Sequence, residues 1–128
     1  MIESESKKIQ SFRDLLVWQK GVQLVVHVYQ LSMKLPKTET YGLISQMQRS
    51  AVSIPANIAE GHARRHTGDF IHHLSIAIGS VAELETHLEI ATRLEFLSSA
   101  ETQKAQSQCS EIARMLFGLI QKLRQRRS

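Results

Sequence analysis

At 128 residues, with 42% hydrophobic and 5% aromatic side chains, the chain is long enough for one core but not for several domains. Its net charge is +4, four of its first twelve residues are charged, and no apolar run approaches the roughly 20 residues of a membrane span. The single cysteine, Cys109, excludes an internal disulfide and a zinc site built from several cysteines. We therefore predict a cytoplasmic protein without a membrane anchor, with a flexible tail over residues 1–11 and one domain over residues 12–128.

The first predicted helix runs from near Asp14 to about Lys34, with Ser11 as a candidate N-cap. It carries two apolar stripes at helical spacing. The first consists of Leu15, Trp18, Val22, Val25 and Tyr29. The second consists of Leu24, Val28, Leu31 and Leu35, and we expect it, with Leu43, Ile71 and Ile78, to lie beside or outside the core. Contiguous apolar surface left on a monomer predicts self-association, and a wide core face is the alternative.

The second predicted helix begins after Thr38 and reaches the region of Gly61, with Pro55 in its interior. A proline at this position frees the carbonyl of Ala51, costs about 3 kcal/mol and kinks the helix unless nearby groups compensate. The segment also carries four polar residues at helical spacing, namely Arg49, Ser53, Asn57 and Glu60. The Ser53 hydroxyl and the Asn57 amide are candidates for the compensation. We predict a helix kinked at Pro55 that packs through a polar seam.

The third predicted helix opens after Thr67 and ends near Phe96, and the fourth starts at Ser98, where Ser98 and Glu101 make a capping box. Each helix carries an apolar stripe with alternating gaps of three and four residues. Short connections between long helices force neighbouring helices to be antiparallel. The predicted fold class is all-α, an antiparallel up-down-up-down four-helix bundle.

The third predicted helix supplies polar partners for the second. If Arg49 meets Glu83 or Glu85 in a low-dielectric contact, removal of one partner strands a charge at a cost of roughly 3–5 kcal/mol. We therefore predict that Arg49→Ala unfolds or dissociates the protein. The predicted polar seam comprises Arg49, Ser53, Asn57, Glu60, Ser80, Glu83 and Glu85.

Basic residues are concentrated in two places. Beyond Glu111 the chain has five basic residues and no acidic one, and a second basic cluster follows the kinked helix. Concentrated cations attract phosphate backbones, although cations also stabilise the end of a helix through its dipole. The sequence shows no aromatic platform for bases, so we expect any binding to be largely insensitive to base sequence. The candidate nucleic-acid contacts are Arg64, Arg65, Lys122, Arg124, Arg126 and Arg127.

The chain resembles the 23S rRNA intervening-sequence protein family, which is related to the accessory variability determinant of diversity-generating retroelements. The resemblance runs from Phe12 to about Glu101. It rests on two motifs in this order, QMQRSAVSIPANIAEG over residues 46–61 and GSVAELET over residues 79–86, together with LPKTETYGL over residues 35–43.

This resemblance implies a small cytoplasmic bacterial protein, often a ring-shaped homopentamer, without enzymatic activity. In the retroelement relatives the ring is basic, binds nucleic acid and associates with a reverse transcriptase. The expected function is thus a non-enzymatic homo-oligomeric scaffold whose partners are itself, RNA or DNA, and a reverse transcriptase or another protein. The alternative is a protein-interaction adaptor with no nucleic-acid ligand.

Catalytic motifs are missing from the sequence. The histidine pair His62 and His66 is spaced for zinc, but no His-Glu-x-x-His and no Glu-x-x-His motif accompanies it. No arginine is followed five positions later by histidine, as helical ribonucleases of that type require, and no glycine-rich phosphate loop is present. We therefore expect no catalytic residue, no metal and no cofactor.

Overall fold

The computed structural model describes residues 10–127, which form four α-helices joined by short connections. The helices are α1, Leu16–Ser32; α2, Leu43–Ala63; α3, Thr67–Arg93; and α4, Ser99–Arg127. Successive helices run antiparallel, and both α1 and α3 pack against α2 and α4. The predicted all-α, up-down-up-down four-helix bundle is confirmed. Within the described range, no helix is both long and apolar enough to cross a bilayer.

The N-terminal end of the bundle differs in detail from the prediction, because Phe12–Asp14 forms a short 3-10 helix before α1. Ser11 caps this short helix rather than α1, since its hydroxyl accepts a hydrogen bond from the Arg13 amide at 3.1 Å. Leu15 then has extended backbone, and α1 begins at Leu16. Residues 1–9 and 128 lie outside the described residues, so the predicted tail over residues 1–11 stays a prediction for most of its length.

The core is formed by one apolar face of each helix, but the assignment of the two α1 stripes was wrong. Leu24 and Val28 of the second stripe are fully buried, whereas Val22 and Tyr29 of the first are 37% and 43% exposed. Leu43 and Ile71, also expected at the margin, are buried as well. The two stripes lie about 130° apart around α1, and either can serve as a core face by its spacing alone. Only the positions of α2 and α4 decide between them.

Pro55 lies within α2, which continues from Leu43 to Ala63. The proline ring packs on α1, where a Cβ added to Gly21 would lie 3.3 Å from the Pro55 Cβ, so the glycine lets the two helices approach closely. The Asn57 side-chain amide donates to the Ser53 carbonyl at 2.9 Å, and not to the Ala51 carbonyl as expected. The kink itself stays a prediction.

Contacts and backbone conformations at the helix ends explain the remaining differences between the predicted and the observed helix boundaries. Lys37–Glu39 forms a second 3-10 helix, and the Glu39 carboxylate accepts a hydrogen bond from the Leu43 amide at 3.1 Å, so α2 starts later than predicted. Glu95 has a φ of 63°, a left-handed conformation that cannot continue α3 toward Phe96. The predicted capping box is confirmed, with Glu101 N donating to Ser98 Oγ at 3.1 Å and Ser98 N donating to Glu101 Oε1 at 2.8 Å.

Alanine substitutions at two helical glycines are expected to change the free energy of unfolding in opposite directions. A Cβ on Gly61 would lie 2.7 Å from the Cβ of His73 on α3, whereas a Cβ on Gly79 would meet nothing within 4 Å. We expect Gly61→Ala to lower the free energy of unfolding by about 1–2 kcal/mol, because overpacking outweighs the gain in helix propensity. Gly79→Ala should raise it by about 0.5–1 kcal/mol. Urea unfolding of both variants measures this, and equal signs would contradict the helix packing described.

Candidate nucleic-acid interface

A polar seam does connect α2 to α3, and it is a chain of hydrogen bonds between small side chains. Ser53 Oγ lies 2.7 Å from Ser80 Oγ, and the Asn57 amide donates to Ser53 Oγ at 3.0 Å. His73 Nδ1 then donates to Asn57 Oδ1 at 3.1 Å. The four side chains therefore form one connected network across the helix pair. Ser53, Asn57 and Ser80 of the predicted seam take part in this network, and the sequence reasoning did not identify His73.

Four predicted members of the seam lie elsewhere. Arg49, Glu60 and Glu83 are exposed, and Glu85 is half-buried beside α4, where its backbone carbonyl accepts from Gln106 at 3.5 Å. Side chains three or four positions apart point in directions that differ by about 40–60° around the helix axis. A row of residues with that spacing therefore does not stay on the line where α2 contacts α3. No described ion pair includes Arg49, so the condition of a buried contact between Arg49 and Glu83 or Glu85 is not met within the described part of the chain. There is thus no longer a reason to expect that Arg49→Ala unfolds the chain. Its expected effect on dissociation of the oligomer stays a prediction.

A second contact between α2 and α3 gives an expected pH dependence. His87 Nδ1 lies 3.2 Å from Ser50 Oγ; burial lowers the pKa of His87, and the nearby Glu83 charge partly opposes this. The unfolded chain therefore binds the proton more readily, so this contribution to stability is complete at neutral pH and is lost as pH falls below about 6.5. We expect Tm to fall more steeply from pH 7.5 to 5 in wild type than in His87→Gln, as measured by circular dichroism. Parallel slopes would show that His87 contributes nothing.

The bundle topology brings the two predicted basic clusters to the same end. The contacts Lys34–Glu101 at 3.0 Å, His27–Gln108 at 2.8 Å and Lys20–Glu111 at 3.3 Å show that α4 runs antiparallel to α1. Residues 122–127 therefore lie level with or beyond the start of α1. The connection between α2 and α3 is at this end too, because α2 also runs opposite to α1. We call this the basic end, and its cations are Arg64, Arg65, Lys122, Arg124, Arg126 and Arg127.

Most side chains of the basic end are open to solvent. Arg65, Lys122, Arg124 and Arg126 are exposed, and no described ion pair includes any of them. Arg64 is also exposed, but its guanidinium lies 3.0 Å from the Glu60 carboxylate. The hydrogen bond from Arg64 is the main reason that the pKa of Glu60 is lowered, followed by the charge of His73. Arg127 ends α4, and its side chain lies outside the described residues.

At the opposite end of the bundle, basic side chains are paired with acidic ones. Lys34 and Arg93 are both paired with glutamates there, at 3.0 and 2.8 Å. The Ser98 amide and the Lys34 ammonium lower the pKa of Glu101, in that order of effect. Acidic and basic side chains are thus mixed at this end, whereas α4 has only basic ones beyond Glu111. The acidic residues at or near this end are Glu39, Glu85, Glu89, Glu95 and Glu101.

Aromatic rings surround the basic end, a feature that the sequence analysis missed. The Phe12 ring meets Trp18 edge-on at 5.2 Å, and the Arg13 guanidinium lies 4.7 Å from the Phe12 centroid. His62 meets Phe70 edge-on at 5.5 Å. An open groove of about 550 Å³ separates the 3-10 helix from the end of α2. The groove is lined by Gln10, Ser11, Phe12, His62, Ala63 and Arg65.

An apolar surface lies on the outside of α1. Met33 is 81% exposed, and together with three residues of the same face it forms a stripe with gaps of four, three and four residues. Val52 and Ala56 of α2 are exposed on the adjoining helix. This outer stripe consists of Val22, Val26, Tyr29 and Met33.

The described residues contain no cluster of three or more His, Cys, Asp or Glu side chains that could hold a metal ion. Cys109 is fully buried in the core, and burial raises the pKa of its thiol to about 12. The thiol therefore remains protonated and poorly nucleophilic at neutral pH.

The comparisons with known proteins agree with the fold and with the motifs. The sequence profile of the 23S rRNA-intervening sequence protein family matches residues 13–118. A similar solved structure is a protein of unknown function from the S23 ribosomal protein family of Bacteroides thetaiotaomicron, with 28% identity and a TM-score of 0.76. That match covers 82% of this chain and 98% of the other. No curated protein gives a significant sequence match. With four-fifths of its length covered by the profile, the chain belongs to the 23S rRNA-intervening sequence protein family.

Proposed function

We propose that this protein is a non-catalytic, homo-oligomeric scaffold that binds RNA or DNA through its basic end, largely independently of base sequence. The observation that carries the proposal is the meeting of two cation clusters that are separated in sequence. Arg65 comes from the connection between α2 and α3, and Arg124 and Arg126 come from the end of α4. Helix dipoles favour cations at the C-termini of both α2 and α4. The bundle places these two C-termini at the same end, so the exposed cations of the two segments combine there.

The proposed binding energy is electrostatic. Each lysine or arginine that neutralises a phosphate releases condensed counterions, so affinity falls linearly with salt on logarithmic axes. Because the cations lack described carboxylate partners, apart from Arg64, they need not break an ion pair before they meet a phosphate.

Self-association is the second element of the proposal, with a ring of five as the assembly implied by the resemblance. The outer stripe on α1 supports it, because a contiguous apolar surface of this kind on a soluble domain marks an interface. Arg49 is exposed on α2, and Val52 lies one helical turn from it. In an assembly, Arg49 has an acidic residue of a neighbouring copy as its natural partner.

A salt titration tests the proposed nucleic-acid binding. Filter binding of a single-stranded RNA, a single-stranded DNA and a duplex at salt concentrations from about 50 to 200 mM should give similar affinities that fall steeply with salt. Four to six phosphate contacts correspond to a slope of roughly −3 to −5 on logarithmic axes. Undetectable binding of all three probes at 50 mM salt would refute the proposal.

A protein-interaction adaptor is the second candidate, and a separate observation favours it. Met33 and Tyr41 are 81% and 96% exposed near the connection from α1 to α2, at the end opposite the basic cluster. Such exposure suits a protein partner better than a phosphate backbone. Light scattering distinguishes the cases: a protein that oligomerises without binding nucleic acid is an adaptor in this sense.

A further inference from the structure

The groove at the basic end combines the two kinds of group that recognise a nucleotide. One wall comes from the residues before α1 and contains the Phe12 ring. The other wall comes from the end of α2 and contains the His62 imidazole and the Arg65 side chain. A volume of about 550 Å³ falls within the range of roughly 300–1,000 Å³ that small-molecule sites occupy.

The two walls are held in place by contacts between groove residues and residues outside the groove. Ser11 and Asp14 cap the 3-10 helix, with hydrogen bonds of 3.1 Å from Arg13 N to Ser11 Oγ and from Ser11 N to Asp14 Oδ2. Phe12 is braced by the edge contact with Trp18. On the other wall, the His62 ring rests against Phe70 of α3. The aromatic and basic groups therefore face each other across a preformed space.

Arg65 has an unusual backbone conformation that supports a role at this position. Its φ of 65° places it in the left-handed region, which a residue with a long side chain adopts rarely. Glycine or asparagine would satisfy such a turn at lower cost. An arginine here places an exposed, permanently charged side chain at the edge of the groove.

We propose that this groove binds one nucleotide unit, with the base against Phe12 and the phosphate between Arg65 and His62. Aromatic rings accept any base by stacking, and an arginine fork hydrogen-bonds phosphate oxygens. This site adds a specific nucleotide pocket to the proposed function. It rests on the proposed function only for the source of the nucleotide, which is either the end of a nucleic-acid strand or a free nucleotide. The groove itself accepts only an unpaired nucleotide, because a base inside a duplex cannot enter it.

Trp18 provides a built-in reporter, because it is the only tryptophan of the chain and contacts Phe12. We expect titration of the full-length protein with 5′-AMP to give a saturable change in Trp18 emission. Adenosine and inorganic phosphate, which each carry half of the recognised chemistry, should require at least tenfold higher concentrations. No saturable change with 5′-AMP, together with no heat of binding in calorimetry, would overturn the site.

Variants on the two walls test the groove directly. Phe12→Leu keeps the apolar volume without the aromatic face, and Arg65→Asn removes the charge with a residue that tolerates the left-handed conformation. Each should weaken 5′-AMP binding at least fivefold, whereas Lys104→Gln, which removes an exposed charge at the other end of the bundle, should leave it unchanged. If Phe12→Leu loses helical circular dichroism, the exposed Arg65→Asn decides alone. Unchanged 5′-AMP affinity in Arg65→Asn would overturn the assignment.

Two further measurements identify the source and distinguish this inference from the proposed function. Displacement of 5′-AMP by a 5′-phosphorylated single-stranded oligonucleotide identifies a strand end, and its failure identifies free nucleotide; both are compatible with the site. Salt-dependent binding of long RNA without 5′-AMP binding overturns the groove and leaves the proposed function intact. Binding of 5′-AMP without binding of long RNA or DNA overturns the proposed function and leaves the groove site intact.

Discussion

Replacing Arg124 and Arg126 together by glutamate is expected to lower the affinity for duplex DNA by at least 50-fold at 0.1 M salt. Each lost phosphate contact removes about 0.9 from the salt slope, which corresponds to roughly eightfold in affinity at that salt concentration. Two lost contacts therefore give roughly 60-fold, and the two added negative charges increase the loss by repulsion. Filter binding at several salt concentrations measures both the affinity and the slope, which should become less steep by about 2.

The matched control reverses two cations at the other end of the bundle. Lys37→Glu with Lys104→Glu changes the net charge by the same amount, and both lysines are exposed without a described ion pair. If total charge alone controlled binding, both double variants would lose affinity equally. The proposed basic end requires a loss of less than about fivefold in the control, because a distant charge acts only through a screened field.

Placing a charge in the outer stripe is expected to dissociate the assembly. Val26 is about half exposed in the chain, and Val26→Glu would force a carboxylate into the interface that we propose for this surface. Loss of the buried valine weakens each contact by about 1.5–3 kcal/mol, and the desolvated charge adds to this cost. Light scattering coupled to size exclusion should show a monomer in place of the oligomer, with helical circular dichroism unchanged.

Gln30→Glu is the control for this experiment, because it adds the same charge to an exposed position of α1 outside the outer stripe. It should leave the assembly size unchanged. An assembly that survives Val26→Glu, or a wild-type protein that is monomeric at high concentration, would remove the outer stripe as an interface.

The bundle was predictable from the sequence because the apolar residues of each segment recur with the period of an α-helix. The α3 and α4 stripes, the Ser98 and Glu101 capping box and the antiparallel order follow from local spacing and short connections. The two stripes of α1 show the limit of this reasoning. Both have valid helical spacing, and only the placement of the neighbouring helices decides that Leu24 faces inward and Val22 outward.

The seam and the basic end were predictable to different degrees, for physical reasons. Ser53 and Ser80 are small polar residues on apolar faces, and that conflict with burial made them recognisable. Arg49 satisfied the same spacing but projects into solvent, because the helix drifts by about 40° between residues four positions apart. The groove joins Phe12 to Arg65, more than fifty residues away, and only the tertiary fold brings such residues together.

The asymmetry between the two bundle ends has a consequence for any closed ring of this chain. Cyclic symmetry relates copies by rotation about one axis, so a given end of every copy lies at the same height along that axis. If the bundles stand along that axis, the ring is a two-sided disc with the cations of the basic end all on one side. Several weak phosphate sites on one side act as a single multivalent surface, so a long strand is held far more tightly than a short one. The reverse side, with the exposed Tyr41, stays available for a protein while nucleic acid is bound.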